Sequence, residues 1–183
     1  MSTQKGFTLI ELLIVIAVLA VLSTAVVLVL NPAEILKQGR DSTRLSDLDT
    51  INRAIALYLS DVSTTTWVTT DYCTGVGTSL PGGGTCTSNA VTAVNGTGWI
   101  PVNLTAISVG SPLSRLPLDP VNDSASTACA GTLTGCFYAY EADATMGNYK
   151  LYTNLESQKY ATKESADGGT VADWYETGRT LSL

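Results

Sequence analysis

The longest apolar run of the chain lies near its amino end. Residues 7–30 form a stretch of 24 residues whose only charged side chain is Glu11. Because an α-helix rises about 1.5 Å per residue, a helix of this length would extend roughly 36 Å, enough to cross a hydrocarbon core of about 30 Å. A cleavable secretory signal has a shorter apolar region of about 7 to 15 residues, so that alternative is weaker. The run therefore predicts a membrane-spanning helix.

A second helical pattern follows, in which apolar residues recur at spacings of three and four. This period indicates an amphipathic helix over residues 31–61 that continues the first one. Pro32 has no amide hydrogen and disfavours helical geometry in the residue before it, so we expect a kink or a break there. The apolar positions are Leu45, Leu48, Ile51, Ile55 and either Tyr58 or Leu59.

The remaining residues, 62–183, have the pattern of a β-rich domain. Residues 62–98 contain eleven threonines and one charged residue, which favours strands and irregular structure over helix. Two later runs, 137–142 and 149–155, are rich in aromatic and β-branched residues and flank a short turn with Gly147 and Asn148, so they predict a β-hairpin. We expect an α+β fold in which the second half of the long helix packs against a small antiparallel sheet. Four tyrosines would share one face of that sheet: Tyr138, Tyr140, Tyr149 and Tyr152.

Composition narrows the classes of function. The chain of 183 residues has 10 basic and 16 acidic side chains, a formal net charge of -6, so it has no surplus of positive charge for a nucleic acid. It contains no histidine, which removes the commonest general base and metal ligand. A nucleophile elbow of the G-x-S-x-G type is also absent from the sequence. We therefore expect neither an enzyme nor a nucleic-acid-binding protein.

Four cysteines lie beyond the apolar run, namely Cys73, Cys86, Cys129 and Cys136. None of their spacings is the C-x2-C of a zinc site. We expect the domain after the membrane helix to lie outside the cytoplasm, where an even number of cysteines favours disulfides over reduced thiols. Of the three possible pairings we favour the two that close short loops, Cys73 with Cys86 and Cys129 with Cys136. By the chain-entropy model each loop contributes about 2.5 to 3 kcal/mol.

Other polar motifs are weaker candidates for a site. Asp119, Asn122 and Asp123 could supply oxygen ligands to calcium, but their spacing is not that of an EF-hand and an Asp-Pro turn is the simpler interpretation. We expect no other cofactor. Asn-x-Ser/Thr sequons occur at Asn95, Asn103 and Asn122, and sequence alone does not decide whether they carry glycans.

The amino-terminal residues GFTLIELLIVIAVLAVL resemble the class III leader and anchor of the type IV pilin superfamily, which includes type IV pilins and the pseudopilins of type II secretion. The resemblance implies that a prepilin peptidase removes residues 1–6 after Gly6. It also implies that Phe7 becomes an N-methylated first residue and that Glu11 is the fifth residue of the mature chain. Farther on, RLPLDPVND, CFYAYE and YKLYTNLE are similar to the pseudopilin-like branch, although Val121 and Asn122 replace the tryptophan and glycine usual after its Asp-Pro.

Glu11 also has a physical interpretation of its own. A carboxylate inside an apolar helix costs about 2.5 to 3.5 kcal/mol at the centre of a membrane and less near its edge, so such a residue suggests a partner. In a helix bundle, Glu11 of one subunit could neutralise the α-amine of Phe7 of its neighbour. The alternative is that Glu11 merely reaches back to the membrane surface.

We therefore expect a structural subunit of a pilus-like filament, which lies in the cytoplasmic membrane with a cytoplasmic amino end and later reaches the cell surface. Its expected partners are further copies of itself in a helical filament, the prepilin peptidase, the inner-membrane assembly machinery and, before assembly, membrane lipid. Two other functions stay open: a pseudopilin of type II secretion, and a monomeric membrane-anchored adhesin or binding module.

Overall fold

A computed structural model describes most of the chain, in two units, up to Leu36 and from Lys37 to Leu183, each described by itself below. The predicted leader falls on residues 1–5 and Gly6, and of these only Gly6 lies within the described residues. The described residues are 6–63, 67–75, 79–80, 83–123, 129, 135–145 and 147–183.

The first unit is dominated by one apolar helix. Helix α1 comprises Leu9–Leu30, and Asn31 follows it in the left-handed conformation with φ 40°. Helix α2, Pro32–Asp61, begins directly afterwards. Proline is favoured at a first helical position because its missing amide hydrogen would have no partner there in any case. The helical segment is therefore interrupted at Asn31, immediately before Pro32.

The second unit contains a five-stranded sheet in the order β2-β1-β3-β4-β5. The pairs β1–β3, β3–β4 and β4–β5 are antiparallel, whereas β1 and β2 are parallel. The α+β class is confirmed, but the expectation of a purely antiparallel sheet is wrong at this edge. A parallel pair needs a connection of about a dozen residues or more, and the 13 residues between β1 and β2 supply it. The strands are β1 (Tyr72–Cys73), β2 (Thr87–Ser88), β3 (Tyr138–Ala142), β4 (Tyr149–Thr153) and β5 (Tyr175–Gly178).

The predicted hairpin is present as β3 and β4. Gly147 in its turn has φ 84°, and a Cβ atom at this position would collide with the side chain of Arg179 and come within 3.3 Å of Leu59. Glycine is thus favoured by the backbone conformation, whereas the flexible Arg179 side chain could move aside to admit a Cβ atom. Two short helical elements complete the unit, a 3-10 turn at Leu104–Ala106 and helix α3 at Ala161–Glu164.

The main core lies between α2 and one face of the sheet. The α2 side chains Leu48, Ile51 and Ile55 are fully buried, whereas the predicted position Leu45 is only half-buried. Burying each such side chain contributes about 1.5 to 3 kcal/mol, so this face of α2 stabilises the domain substantially. The helix packs here with residues of the sheet and of the segment between β2 and β3: Tyr138, Tyr140, Leu151, Trp99, Ile100, Leu104 and Leu116.

The opposite sheet face has a smaller core of its own. Phe137, Tyr152 and Trp174 are buried there, and the rings of Phe137 and Trp174 are 5.1 Å apart between centroids. The expectation that four tyrosines share one face is therefore wrong for Tyr152. Tyr140 pairs with Leu151, and because side chains alternate along a strand, Tyr152 points to the other side.

A buried ion pair connects β4 and β5 on this second face. Lys150 Nζ lies 3.0 Å from Glu176 Oε1, and both side chains are fully buried. Lys150 Nζ also lies 4.9 Å from the centre of the Tyr152 ring, and the Tyr152 hydroxyl donates a hydrogen bond to Glu141. The charges on this face are therefore compensated by neighbouring strands.

Glu164, the last residue of α3, has a strongly altered acidity. Burial is the main cause, and it raises the pKa of Glu164 to about 7. The negative charges of Asp41, Asp173 and Asp167 also raise this pKa. A hydrogen bond of 2.7 Å from the Leu155 amide to Glu164 Oε1 acts in the opposite direction and lowers it. A folded-state pKa above the unfolded value of 4.5 means that the protonated carboxyl favours the native state. This contribution is complete below the unfolded pKa and is lost as the pH rises through about 7.

We therefore expect Glu164→Gln to flatten the pH dependence of stability. Glutamine can still accept the Leu155 hydrogen bond but does not ionise, so the variant should match the wild type at pH near 4.5 and be more stable above the folded pKa of about 7. Urea unfolding of the detergent-solubilised chain at both pH values measures the difference in free energy of unfolding between the two proteins. The other acidic groups are the same in both proteins, so their contributions cancel in this difference. An unchanged difference between the two proteins across this range would contradict the assignment.

Candidate assembly and processing site

The predicted cleavage bond lies outside the helix. Gly6, Phe7 and Thr8 precede the first turn of α1, and all three are exposed. The Phe7 residue is 89% exposed, and no heavy atom lies within 4 Å of the position that a Gly6 Cβ would occupy. Exposed, non-helical segments are the preferred sites of proteolysis, so this peptide bond is open to a peptidase.

Glu11 closes the first turn of α1 together with Thr8. Glu11 Oε2 accepts hydrogen bonds from the Thr8 amide at 2.9 Å and from the Thr8 hydroxyl at 2.7 Å. In return, Thr8 Oγ1 accepts a hydrogen bond of 3.3 Å from the Glu11 amide. This reciprocal pattern is a capping box, and it places the carboxylate at the positive end of the helix dipole. Sequence analysis missed this second role, although the T-x-x-E spacing before an apolar run signals it.

The carboxylate has capacity for one more partner. Glu11 Oε1 accepts no hydrogen bond from any residue that the structure describes, while Oε2 accepts two. Cleavage after Gly6 would leave the Phe7 amine as a cation next to Thr8, on the same exposed end of the helix. The geometry thus brings together a capped helix, one available carboxylate oxygen and the site of a new positive charge.

Exposed apolar side chains surround the Leu9–Val26 stretch of α1. The stretch Leu9–Val26 is long and apolar enough to cross a membrane by length and composition, and none of it is buried. Leu9 is 81% and Val21 is 72% exposed, values that water would not favour for such side chains. Its apolar side chains therefore suit a lipid environment or contact with other helices.

The three candidate calcium residues do not form an oxygen cage. Both oxygens of Asp119 bind Arg44, with Nε to Oδ2 at 2.6 Å and Nη2 to Oδ1 at 3.0 Å. Asp119 Oδ1 also accepts from the amides of Val121 and Asn122, which makes the Asp-Pro turn. Asp123 pairs through its backbone with Cys136. The guanidinium of Arg44 on the Asp119 carboxylate would repel a cation, so the described geometry fits an Asp-Pro turn better than a calcium site.

Arg44 is the centre of a buried charge cluster, which we define as Arg40, Arg44, Asp41, Asp119 and Glu156. Arg44 Nη1 lies 2.8 Å from Asp41 Oδ1 and 2.6 Å from Glu156 Oε1. Although burial opposes ionisation, hydrogen bonds from Arg40 and Arg44 hold the pKa of Glu156 below its usual value. Asp41 further accepts hydrogen bonds from the amides of Glu156 and Ser157. The cluster therefore joins α2, the Asp-Pro turn and the segment after β4.

The four cysteines form two disulfides, Cys73–Cys86 and Cys129–Cys136. Each joins residues close in sequence, with separations of 13 and 7, in agreement with the pairing that short loops favoured. The sulfurs of Cys129 and Cys136 lie near a carboxylate oxygen of Glu156. Because these sulfurs are bonded to each other, they are not thiolate ligands for a metal.

Comparison with known proteins identifies the amino-terminal segment. Residues 1–27 match the Prokaryotic N-terminal methylation motif, which is the class III prepilin leader of type IV pilins and pseudopilins. The resemblance inferred from the sequence is thus confirmed for this segment. Searches of the curated proteins and of the solved structures found no match to the chain.

The charge cluster makes a strong prediction about stability. Replacing Arg44 with methionine would leave Asp41, Asp119 and Glu156 without their buried cation, and breaking such a cluster costs about 3 to 5 kcal/mol. As a control, Arg53→Met removes an exposed pair, since the side chains of Arg53 and Asp49 are 78% and 55% exposed, and should cost at most about 1 kcal/mol. Urea unfolding of both full-length variants in detergent compares them. Equal losses of stability in the two variants would show that the buried cluster contributes no more than the exposed pair of Arg53 and Asp49.

Proposed function

We propose that this chain is a structural subunit of a type IV pilus-like surface filament. A prepilin peptidase cuts it after Gly6, Phe7 is methylated on its new amine, and copies assemble by bundling α1. The methylation motif supports the pilin and pseudopilin class, and a structural role without catalysis accords with that class. The observation that carries the proposal is the pairing of an exposed apolar helix with the available carboxylate oxygen of Glu11 at its start.

The exposed apolar helix can be covered in two ways, by lipid before assembly and by other copies of α1 afterwards. Before assembly, α1 lies in the cytoplasmic membrane with its amino end on the cytoplasmic side, where lipid covers its side chains. In a filament, the α1 helices of other subunits cover the same side chains instead. The inner-membrane assembly machinery would move each subunit from lipid into the bundle, and the domain would then lie at the cell surface.

Glu11 determines the register of the bundle in this proposal. The Phe7 amine of an arriving subunit contacts Glu11 Oε1 of a neighbour, while Oε2 continues to cap the neighbour's own helix. Two charges that are separately costly in an apolar bundle thereby become one pair. A monomeric anchor would need no such pair, because Glu11 would already be compensated by the cap.

A pseudopilin of type II secretion is the second candidate. The Asp-Pro turn followed by two aromatic strands is the sequence feature that favours it. We favour the pilus because a threonine-rich domain with two disulfides suits continuous extracellular exposure. Negative-stain microscopy of sheared surface filaments, with mass spectrometry of their subunit, distinguishes the two candidates: long filaments composed of this chain support the pilus.

The processing step gives the first prediction of this proposal. Amino-terminal sequencing of the chain from membranes or filaments should begin at Phe7, and its mass should show one methyl group on the amine. Processing after Gly6 exposes the amine that the assembly contact requires. A chain that begins at Met1, or beyond Leu30, would exclude the proposed assembly.

The charge of Glu11 gives the second prediction. In Glu11→Gln the side-chain oxygen of residue 11 can still accept the hydrogen bonds from Thr8, because glutamate and glutamine both occur at this position of a capping box. The negative charge of the side chain is lost. An unpaired buried amine costs roughly 3 to 5 kcal/mol, so the equilibrium for adding each subunit should fall by about 100-fold or more. Filament yield in cells with only this variant, measured beside the membrane-bound subunit, should therefore collapse while membrane insertion is retained.

The matched control for Glu11 is Thr8→Val. It removes the hydroxyl of the capping box but keeps the Glu11 carboxylate, so filaments should persist at a modestly reduced level. Wild-type filament yield from Glu11→Gln would reject the pairing role. An equal collapse in both variants would assign the effect to helix capping instead.

A further inference from the structure

Two of the three sequons lie together on the surface of the domain. In the sequons Asn95-Gly96-Thr97 and Asn103-Leu104-Thr105, both asparagines and both threonines are exposed. Asn95 and Asn103 form an isolated antiparallel bridge. Asparagine in an N-x-Thr sequence on an exposed segment of an exported domain is the acceptor for N-linked oligosaccharides. The fold therefore turns two separate sequence motifs into one surface feature, which we call the asparagine pair.

Both side chains of the asparagine pair are held in the same conformation. Asn95 Oδ1 accepts hydrogen bonds from Thr97 Oγ1 at 2.7 Å and from the Thr97 amide at 3.2 Å. Asn103 Oδ1 accepts the equivalent bonds from Thr105, at 2.6 and 3.1 Å. Neither Nδ2 atom donates a hydrogen bond to a described residue. Each carboxamide is thus oriented by its own threonine hydroxyl, and each belongs to an exposed residue whose nitrogen has no acceptor among the described residues.

The third sequon provides an internal contrast. Asn122 is only half-exposed, has φ 45°, and directs its Nδ2 to the carbonyl oxygen of Thr74 at 3.5 Å. Its Oδ1 is buried without a hydrogen-bond partner among the described residues. The residue Ser124 of this sequon lies outside the described residues. Asn122 therefore lacks the exposed, threonine-bound geometry of the asparagine pair.

The spacing of the asparagine pair limits how many glycans it can hold. The Leu104 amide donates to the Val94 carbonyl at 2.8 Å beside the bridge, so Asn95 and Asn103 face each other without hydrogen bonds between them. In such pairs the Cα atoms are about 4.5 Å apart and the side chains project from the same face. The two segments are correspondingly close, since a Cβ atom at Gly96 would lie 3.5 Å from the backbone nitrogen of Asn103. A sugar on one asparagine would therefore cover the other.

We propose that the asparagine pair is an N-glycosylation site with two alternative acceptors, of which each chain uses one. The inference rests on the proposed function only in requiring that the domain is exported. The donor is a lipid-linked oligosaccharide pyrophosphate. The Nδ2 atom forms a bond to the anomeric carbon, the bond from that carbon to the pyrophosphate oxygen breaks, and the lipid pyrophosphate leaves with the electron pair. The amide proton passes to a base of the transferase.

The test uses the full chain produced in its natural host and recovered separately from membranes and from sheared surface material. Its intact mass should exceed that of the Asn95→Gln, Asn103→Gln double variant from the same fraction by one oligosaccharide. Chymotrypsin cuts after Trp99 once the chain is unfolded, which separates Asn95 from Asn103. Electron-transfer fragmentation of the two peptides then locates the sugar on an asparagine or on a threonine.

Single and double variants test the alternative use of the two acceptors. Asn95→Gln and Asn103→Gln should each retain one oligosaccharide on the remaining asparagine, and only the double variant should lose the mass increment completely. Thr105→Ser in the Asn95→Gln background should keep the modification, whereas Thr105→Val should abolish it. Asn122→Gln is the matched control and should leave the increment unchanged.

The outcomes separate this inference from the proposed function. Surface filaments whose Asn95 and Asn103 peptides are unmodified would overturn the inference and leave the filament proposal intact. Sugar only on Thr97 or Thr105, or two oligosaccharides on one chain, would overturn it as well. One asparagine-linked oligosaccharide per chain that moves between the two positions in the single variants supports it, even if the chain is recovered from membranes without filaments.

Discussion

The arrangement of the domain depends on the contacts that the guanidinium of Arg44 makes. It binds three carboxylates from three segments, Asp41 on α2, Asp119 in the Asp-Pro turn and Glu156 after β4. Burying charge is costly unless every charge is paired, so this cluster favours the one arrangement that satisfies all of its members. The same cluster engages both oxygens of Asp119, which accept hydrogen bonds from Arg44 and from the backbone of the turn. A turn that resembles a ligand site in sequence is therefore part of the structural framework.

The two units meet different physical demands. The domain buries its apolar side chains on both faces of a mixed sheet, and its disulfides restrict short loops. The Leu9–Val26 stretch of helix α1 is not buried, and its apolar side chains suit lipid or contact with other helices. Its one acidic residue is compensated at the helix start by Thr8. The chain thus combines a domain with its own core and a helix whose apolar side chains are exposed over Leu9–Val26.

The asparagine pair illustrates how a surface property depends on the fold. All three sequons fit the N-x-Ser/Thr pattern, but their asparagines differ in exposure, in hydrogen bonding and in the neighbours that the fold provides. Asn95 and Asn103 are brought together by an antiparallel bridge, whereas Asn122 is drawn toward the Thr74 carbonyl. A modification that needs an accessible side-chain amide nitrogen would therefore favour Asn95 and Asn103 over Asn122.

The sequence by itself determined the features that depend on neighbouring residues. The apolar run, the interruption at Pro32 and the β3–β4 hairpin follow from local periodicity and turn chemistry, and short loops favoured the disulfide pairing that the structure shows. Only the tertiary structure decided the partners of Arg44, since Asp119 lies 75 residues away. It also decided the parallel pairing of β1 with β2 and the face of Tyr152. Strand register and distant ion pairs are chosen by the packing of the whole core, and no local pattern of residues encodes them.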